Sequence, residues 1–244
     1  MFQNFFLNDL NRKMKTTIWG PYIWLTLHAV PLFCWKEGHS VEFASEWLSM
    51  LQQILPCSQC QQHYGWYLET YTPTNIQTPE ELSNYICDLH NHVASTLGSP
   101  TWTCKQVYEF YGFDPTDPSS SLLRFKSRNW ILFLYFAIHS PQINWNTFRK
   151  FIVQTGQHIP WSSKKEKTLW KQMISVIPEK RMNAFAWFEE FRPQWIPIWS
   201  QEQSENTVWP SVLQNSSYLR RMKWILTVEN RNPAPVVGTW ETIK

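Results

Sequence analysis

The chain has 244 residues, of which 43% are hydrophobic and 17% charged, a composition that can form a packed core and argues against disorder. It contains 16 Trp but only 7 Gly. Because few Gly leave few left-handed turns and phosphate-binding loops, doubly wound, P-loop and β-sandwich folds are disfavoured. The five Cys are too few for a disulfide-scaffold protein. The composition therefore favours packed helices.

Charge and tryptophan are distributed unevenly along the chain. Residues 1–113 carry 5 Lys or Arg and 9 Asp or Glu, whereas residues 114–244 carry 17 and 10. All five Cys lie in the acidic part and ten of the 16 Trp lie in the basic part. The segment DPTDPSSS between them is typical of a linker. We therefore expect four segments: an arm at 1–16, a first domain at 17–113, a linker at 114–121 and a helical second domain at 122–244.

No segment of the sequence resembles a signal peptide or a membrane span. The basic residues of the N-terminal segment follow its apolar ones. The longest apolar run, Trp130–Ile138, is far shorter than the roughly 20 residues that a membrane helix needs. We therefore expect a cytosolic protein, in which paired cysteines are more often catalytic or metal-binding than structural.

Apolar spacing and capping patterns predict that the first unit is helical. Two capping boxes, Thr78-x-x-Glu81 and Thr103-x-x-Gln106, each precede an apolar stripe at helical spacing. The predicted unit is a bundle of four helices with a short fifth helix and no strand. The expected helices cover 19–34, 41–55, a segment beginning near Cys57, a segment from Thr78 to Leu97, and a short segment after Thr103.

The second unit is also predicted to be mostly helical. Its expected helices cover 121–139, 145–157, 163–177, 180–191 and 217–228. The segment NWILFLYFAIH (129–139) resembles YIWLTLHAV (22–30), which aligns Trp130 with Trp24. Later segments follow at similar intervals, so the second unit could be a degenerate copy of the first that lacks every cysteine.

The cysteine pattern allows two kinds of chemistry. Cys57-Ser-Gln-Cys60 is a C-x-x-C at the start of a predicted helix, where the helix dipole stabilises a thiolate and favours thiol–disulfide exchange. The alternative is a zinc-stabilised, non-catalytic helical interaction module that uses Cys57, Cys60, Cys87 and His90. Against zinc, Cys87 lies within the apolar stripe of its helix and could pair with Cys104 instead.

Three segments resemble the Erv/ALR family of FAD-linked sulfhydryl oxidases, in the order and spacing of that family. They are WGPYIWLTLH (19–28), LPCSQCQQH (55–63) and YICDLHNHVASTLGSPTWTC (85–104). The opening segment and the absence of a leader look most like members encoded by large DNA viruses. The resemblance covers roughly residues 17–113.

The resemblance implies a helical bundle that binds FAD and oxidises protein dithiols, with dioxygen as the final acceptor and hydrogen peroxide as product. Cys57 would exchange with the substrate, and Cys60 would lie against the flavin and pass electrons to it. Cys87 and Cys104 would form a structural disulfide. The positions that match cofactor-binding residues of the family are Gly20, Trp24, His28, His63, His90, Asn91, Val93 and Tyr111.

The sequence departs from the family pattern at Ala94, Thr96 and Ser99. Thr96 and Ser99 replace lysines that approach the FAD phosphates or ribose. Cys34 is expected to be a buried free thiol, and no metal is expected. A homodimer is expected, as are protein dithiol substrates that could include a small redox shuttle protein. Neither a nucleic acid nor a membrane is an expected partner. A viral origin would place the protein in the cytoplasm of an infected cell or in the virion.

Overall fold

A computed structural model describes residues 16–117 and 127–202, and these ranges contain nine α-helices, a short 3-10 helix at Arg181–Asn183 and no strand. The predicted all-α class is therefore confirmed. The helices are α1 (Thr16–Glu37), α2 (Ala44–Ile54), α3 (Ser58–Thr70), α4 (Pro79–Thr96), α5 (Cys104–Tyr111), α6 (Ser127–His139), α7 (Trp145–Gln157), α8 (Lys164–Ser175) and α9 (Ala184–Glu202).

The predicted capping residues begin several of these helices. Thr78 accepts a hydrogen bond from the backbone N–H of Glu81, whose carboxylate accepts in return from the N–H of Thr78, so this capping box is confirmed. The box at Thr103 is confirmed in the same way. At α8, Ser163 accepts from the N–H of Glu166. The buried Glu166 carboxylate accepts instead from the N–H of Ser162 and the hydroxyl of Ser127, which ties α8 to α6.

Helix α1 is three residues longer at each end than the sequence predicts. Pro21 and Pro31 lie inside it, and each removes one backbone donor without ending the helix. The helix ends at Gly38, whose φ of 67° lies in the left-handed region that other residues avoid. The C-terminal signal was therefore the glycine rather than the last apolar residue at Cys34.

Helices α1 and α2 each contact both predicted units. Helix α1 packs against α4 and against α6, and α2 packs against α3 and against α7. Helix α6 packs in turn against α9, as α1 does against α4. These contacts are consistent with a second unit that repeats the order of the first, and the repeat stays a prediction.

One hydrophobic core includes side chains from both units. Trp47 of α2 stacks on Phe151 of α7, with ring centroids 5.7 Å apart and planes 3° apart. Its indole N–H donates to the hydroxyl of Thr155 over 2.8 Å. Tyr22 of α1 stacks on Phe136 of α6, with centroids 5.7 Å apart. The boundary predicted from charge therefore does not divide the core.

Two predictions lie partly or wholly outside the described residues. Of the expected linker, residues 114–117 form a turn in which the Asp114 carboxylate accepts from the N–H and hydroxyl of Thr116. The remainder of the linker and the expected helix at 217–228 lie outside the described ranges. Within residues 16–117 and 127–202, no helix combines the length and the apolarity needed to cross a lipid bilayer.

Candidate active site

Cys57 and Cys60 form a disulfide at the N-terminus of α3, with 5.2 Å between their Cα atoms. Pro56 ends the preceding segment, and Cys57 adopts an extended backbone (φ −158°, ψ 115°) as the N-cap of the helix. Its sulfur accepts a hydrogen bond from the backbone N–H of Cys60 over 3.1 Å. Both cysteines are half-buried. The sulfurs thus lie where the helix N-terminus stabilises negative charge and where a second dithiol can approach.

Hydrogen bonds from the second unit position the loop before the disulfide. The side-chain amide of Gln61 donates to the carbonyl of Leu55 (2.9 Å) and to the carbonyl of Gln142 (3.2 Å). The backbone N–H of Asn144 donates to the carbonyl of Gln53 at the end of α2 (2.8 Å). The turn between α6 and α7 therefore contacts both sides of the segment that carries Cys57. No sequence motif predicted this contact, since these polar side chains match no chemical pattern.

Three helices bring together the rings of four side chains, Trp24, His28, His90 and Tyr111. The Trp24 and His90 rings stack with centroids 4.1 Å apart and planes 8° apart. Nε2 of His28 lies 2.9 Å from Nδ1 of His90, in hydrogen-bonding contact. The rings of His28 and Tyr111 lie 5.7 Å apart. The structure therefore brings together four of the predicted cofactor-binding residues as a wall of flat rings, which suits a flat aromatic ligand.

Burial keeps the polar groups of this cluster neutral. It lowers the pKa of His28 to about 3 and that of His90 well below 6.5, since both imidazoles are removed from water. Burial also raises the pKa of the Tyr111 phenol. Within residues 16–117 and 127–202, neither Nδ1 of His28 nor the hydroxyl of Tyr111 has a hydrogen-bond partner, and both atoms are buried. Such groups are costly unless a ligand pairs with them, which supports a binding function for the cluster.

Asn91 uses its side-chain amide within the protein. Its Nδ2 donates to the carbonyl of Trp102 over 2.7 Å, and its Oδ1 accepts from the N–H of Trp102 over 2.9 Å. This two-bond pairing joins α4 to the segment before α5. The amide therefore shapes the site through the backbone of Trp102, and the cofactor contact implied by the resemblance stays a prediction.

The other predicted binding residues lie in different surroundings. Gly20 is buried in α1, and a Cβ atom added there would have no atom of the described residues within 4 Å. Val93 is half-buried. His63 is exposed and lies beside Trp66, with ring centroids 5.4 Å apart and 62% of Trp66 accessible. His63 and Trp66 follow the disulfide on α3, so they lie on a surface that a protein substrate can reach.

Cys87 and Cys104 are free thiols in the structure, so the predicted disulfide is not formed in it. Burial and the neighbouring thiol of Cys104 raise the pKa of Cys87. Helices α4 and α5 thus bring the two sulfurs together as expected. The bond itself requires an oxidant, and the pairing stays a prediction.

The structure does not assemble the zinc site of the alternative interpretation. Cys57 and Cys60 are bonded to each other, His90 contacts His28 and Trp24, and Cys87 contacts Cys104. Spacing along the sequence suggested a common ligand set, but α3 and α4 direct these side chains to different neighbours.

A model of the Erv1 / Alr family matches residues 21–112 of the chain. An FAD-linked sulfhydryl oxidase of African swine fever virus (isolate Tick/Malawi/Lil 20-1/1983) is 31% identical over 99 residues, which cover 37% of this chain and 80% of that protein. FAD-linked sulfhydryl oxidase ERV1 of Oryza sativa subsp. japonica is 29% identical over 95 residues, which cover 38% and 48%. No solved structure matches the chain. The chain belongs to the Erv1/Alr family, and the region that shows this contains both the Cys57–Cys60 disulfide and the aromatic cluster around Trp24 and His90.

Proposed function

We propose that this protein is an FAD-linked thiol oxidase that introduces disulfide bonds into protein substrates. The observation that carries the proposal is the half-buried Cys57–Cys60 disulfide at the N-terminus of α3, within the region that matches the family. The relatives of African swine fever virus and of Oryza sativa are named FAD-linked sulfhydryl oxidases, which supports both the reaction and the cofactor.

The cysteine pair exchanges with a substrate dithiol. A substrate thiolate attacks the sulfur of Cys57, which breaks the Cys57–Cys60 bond and releases Cys60 as a thiolate. The second substrate thiolate then attacks the mixed disulfide, which completes the substrate disulfide and leaves Cys57 reduced. The N-cap position of Cys57 lowers the cost of negative charge on its sulfur when it leaves. The substrate has then lost two electrons and the cysteine pair has gained them.

The chemistry that FAD supplies when bound is acceptance of these two electrons and their transfer to dioxygen, which gives hydrogen peroxide. The aromatic cluster fits such a cofactor. The stacked rings of Trp24 and His90 offer a flat surface, and Nδ1 of His28 and the hydroxyl of Tyr111 offer buried polar atoms that no other described residue pairs with. The open space beside Gly20 is a place that a ligand could fill.

The rest of the chain supports this region in the proposal. The domain at 17–113 carries the chemistry, and α6 and α7 of the following domain pack on α1 and α2, while Gln142 and Asn144 fix the disulfide loop. Because α1 and α2 are covered by α6 and α7 of the same chain, a homodimer would use another surface. A small redox shuttle protein is a suitable substrate, and His63 and Trp66 offer it an exposed contact. The infected-cell cytoplasm or the virion is the proposed location.

Two measurements on the purified protein test the proposal. We expect a bound flavin absorbing near ~450 nm and consumption of dioxygen that depends on an added dithiol. Cys57→Ser and Cys60→Ser should each abolish that consumption while flavin stays bound. Cys104→Ser is the matched control, and its activity per bound flavin should remain. A colourless protein that contains zinc, or full turnover in Cys60→Ser, would overturn the proposal.

A further inference from the structure

A second cluster of cysteine and histidine side chains lies outside the proposed redox site. One potential ligand atom from each of Cys34, His39 and His158 lies within 4.8 Å of the others. Cys34 lies in the last turn of α1, His39 follows the end of α1, and His158 follows α7. We propose that this cluster binds one divalent zinc ion and that the ion joins the two halves of the chain. The site uses none of the residues of the proposed thiol oxidase chemistry.

The turn that ends α1 places His39 over Cys34. The backbone N–H of Gly38 donates to the carbonyl of Trp35, and the N–H of His39 donates to the carbonyl of Cys34 over 2.8 Å. This pair of bonds is the Schellman arrangement, which requires the left-handed φ of 67° that Gly38 adopts. The geometry of the turn therefore returns a histidine to the last turn of the helix that carries the cysteine.

His158 is positioned from the other half of the chain. It caps α7, where its backbone N–H donates to the carbonyl of Thr155, and its ring stacks on Phe43 with centroids 4.0 Å apart and planes 10° apart. Nδ1 of His158 lies 3.6 Å from Sγ of Cys34. The stack on Phe43 holds the imidazole plane in place. Nδ1 is therefore already directed at the sulfur, and metal binding needs no further ordering of the ring.

These distances agree with zinc coordination. Tetrahedral zinc with Zn–S of about 2.3 Å and Zn–N of about 2.0–2.1 Å places sulfur and nitrogen about 3.6 Å apart, the separation found between Cys34 and His158. His39 is exposed and must approach by about an ångström to complete three ligands. Because His39 lies at the surface, water can reach the fourth coordination position of the zinc ion.

The donor set favours zinc over harder cations. One thiolate and two imidazoles are ligands of zinc, whereas calcium and magnesium require oxygen. Zinc displaces the thiol proton of Cys34, which leaves to solvent, and each imidazole binds through the lone pair of a ring nitrogen.

Zinc binding to the full chain tests this site, with the Cys57–Cys60 pair kept oxidised so that it cannot compete. After incubation with zinc and desalting, we expect one equivalent per chain, and X-ray absorption at the zinc edge should give one sulfur and two nitrogen ligands. His39→Ala changes an exposed side chain, so it should fold normally and bind zinc at least about tenfold more weakly. Cys34→Ser should lose the sulfur ligand.

His92→Ala, which removes an exposed histidine outside the cluster, is the matched control and should retain full zinc affinity. A wild-type chain that retains no zinc would overturn the proposal. So would zinc whose coordination lacks sulfur, or zinc retained equally by wild type, His39→Ala and Cys34→Ser, since the ion would then lie elsewhere.

Discussion

The side chains of His28 and His90 are hydrogen-bonded in the interior of the bundle, with 2.9 Å between Nε2 of His28 and Nδ1 of His90. The bond joins α1 to α4, and Trp24 covers one face of it. The two neutral imidazoles share one proton in this hydrogen bond. Adding a further proton to either ring is unfavourable, because burial has removed the water that would solvate the positive charge.

Protonation of these histidines should make stability depend on pH. Their pKa values in the folded state are lower than the ordinary 6.5, so the unfolded chain binds protons first as the pH falls. The stabilising contribution of the two neutral histidines is therefore fully present above about pH 6.5 and decreases as the pH falls below it. For His28, whose folded pKa is about 3, the loss between pH 6.5 and pH 5 amounts to about 2 kcal/mol.

The variant His28→Gln should remove that contribution. Denaturant unfolding at pH 7.5 and pH 5 in saturating FAD measures it, and the decrease should be about 2 kcal/mol smaller in His28→Gln than in wild type. His92→Gln, at an exposed position, should follow wild type. An unchanged pH dependence in His28→Gln would show that the histidine is already solvated.

Asn91→Ala should destabilise the protein through the backbone of Trp102. The substitution removes the two hydrogen bonds that the amide makes to the N–H and carbonyl of Trp102, at a cost of about 1–3 kcal/mol. Urea unfolding measures the difference. The matched control is Asn84→Ala on the same helix, where the side chain only accepts a long 3.4 Å bond from Tyr108. Equal stability of the two variants would contradict this structural role for Asn91.

Gln61→Ala should weaken the connection between the disulfide loop and the second unit. It removes the bonds to the carbonyls of Leu55 and Gln142, and a loss of about 1 kcal/mol is expected. For a chain of this size the midpoint of thermal unfolding should fall by roughly 2–4 °C. Its neighbour Gln62 is exposed, so Gln62→Ala should leave the midpoint unchanged. If the unfolding midpoints of Gln61→Ala and Gln62→Ala were equal, Gln61 would not stabilise the contact between the disulfide loop and the second unit.

Gly20→Ala separates cofactor binding from folding. An added methyl group meets no atom of residues 16–117 or 127–202 within 4 Å, and alanine is favoured over glycine inside a helix by about 1 kcal/mol, so the protein should become slightly more stable without flavin. If FAD fills that space, its affinity should fall. Flavin fluorescence titration measures the affinity, with Thr16→Ala one turn earlier as control. Undiminished affinity in Gly20→Ala would exclude Gly20 from the binding site.

Local signals in the sequence predicted local structure well. The boxes at Thr78 and Thr103 begin α4 and α5 as expected, because capping depends on residues three positions apart. The convergence of Trp24, His28, His90 and Tyr111 followed from the resemblance to a family, since no periodicity shows which faces of separate helices meet.

Contacts between distant segments were not predictable in the same way. Nothing near Gln61 indicates Gln142, 81 residues later, and nothing near Cys34 indicates His158, 124 residues later. Asn91 shows the converse case. Its position in a motif suggested ligand contact, whereas the neighbouring turn brought the backbone of Trp102 within reach of its amide first.

The stack of Trp47 on Phe151 has a consequence for how such a protein can evolve. Removing a buried aromatic side chain typically costs about 3–5 kcal/mol, and separating the halves would expose this pair and Tyr22 with Phe136 together. The halves are therefore not exchangeable modules, and they should melt in a single cooperative transition. The second half cannot be lost from the gene unless α1 and α2 of the first half acquire a new polar surface.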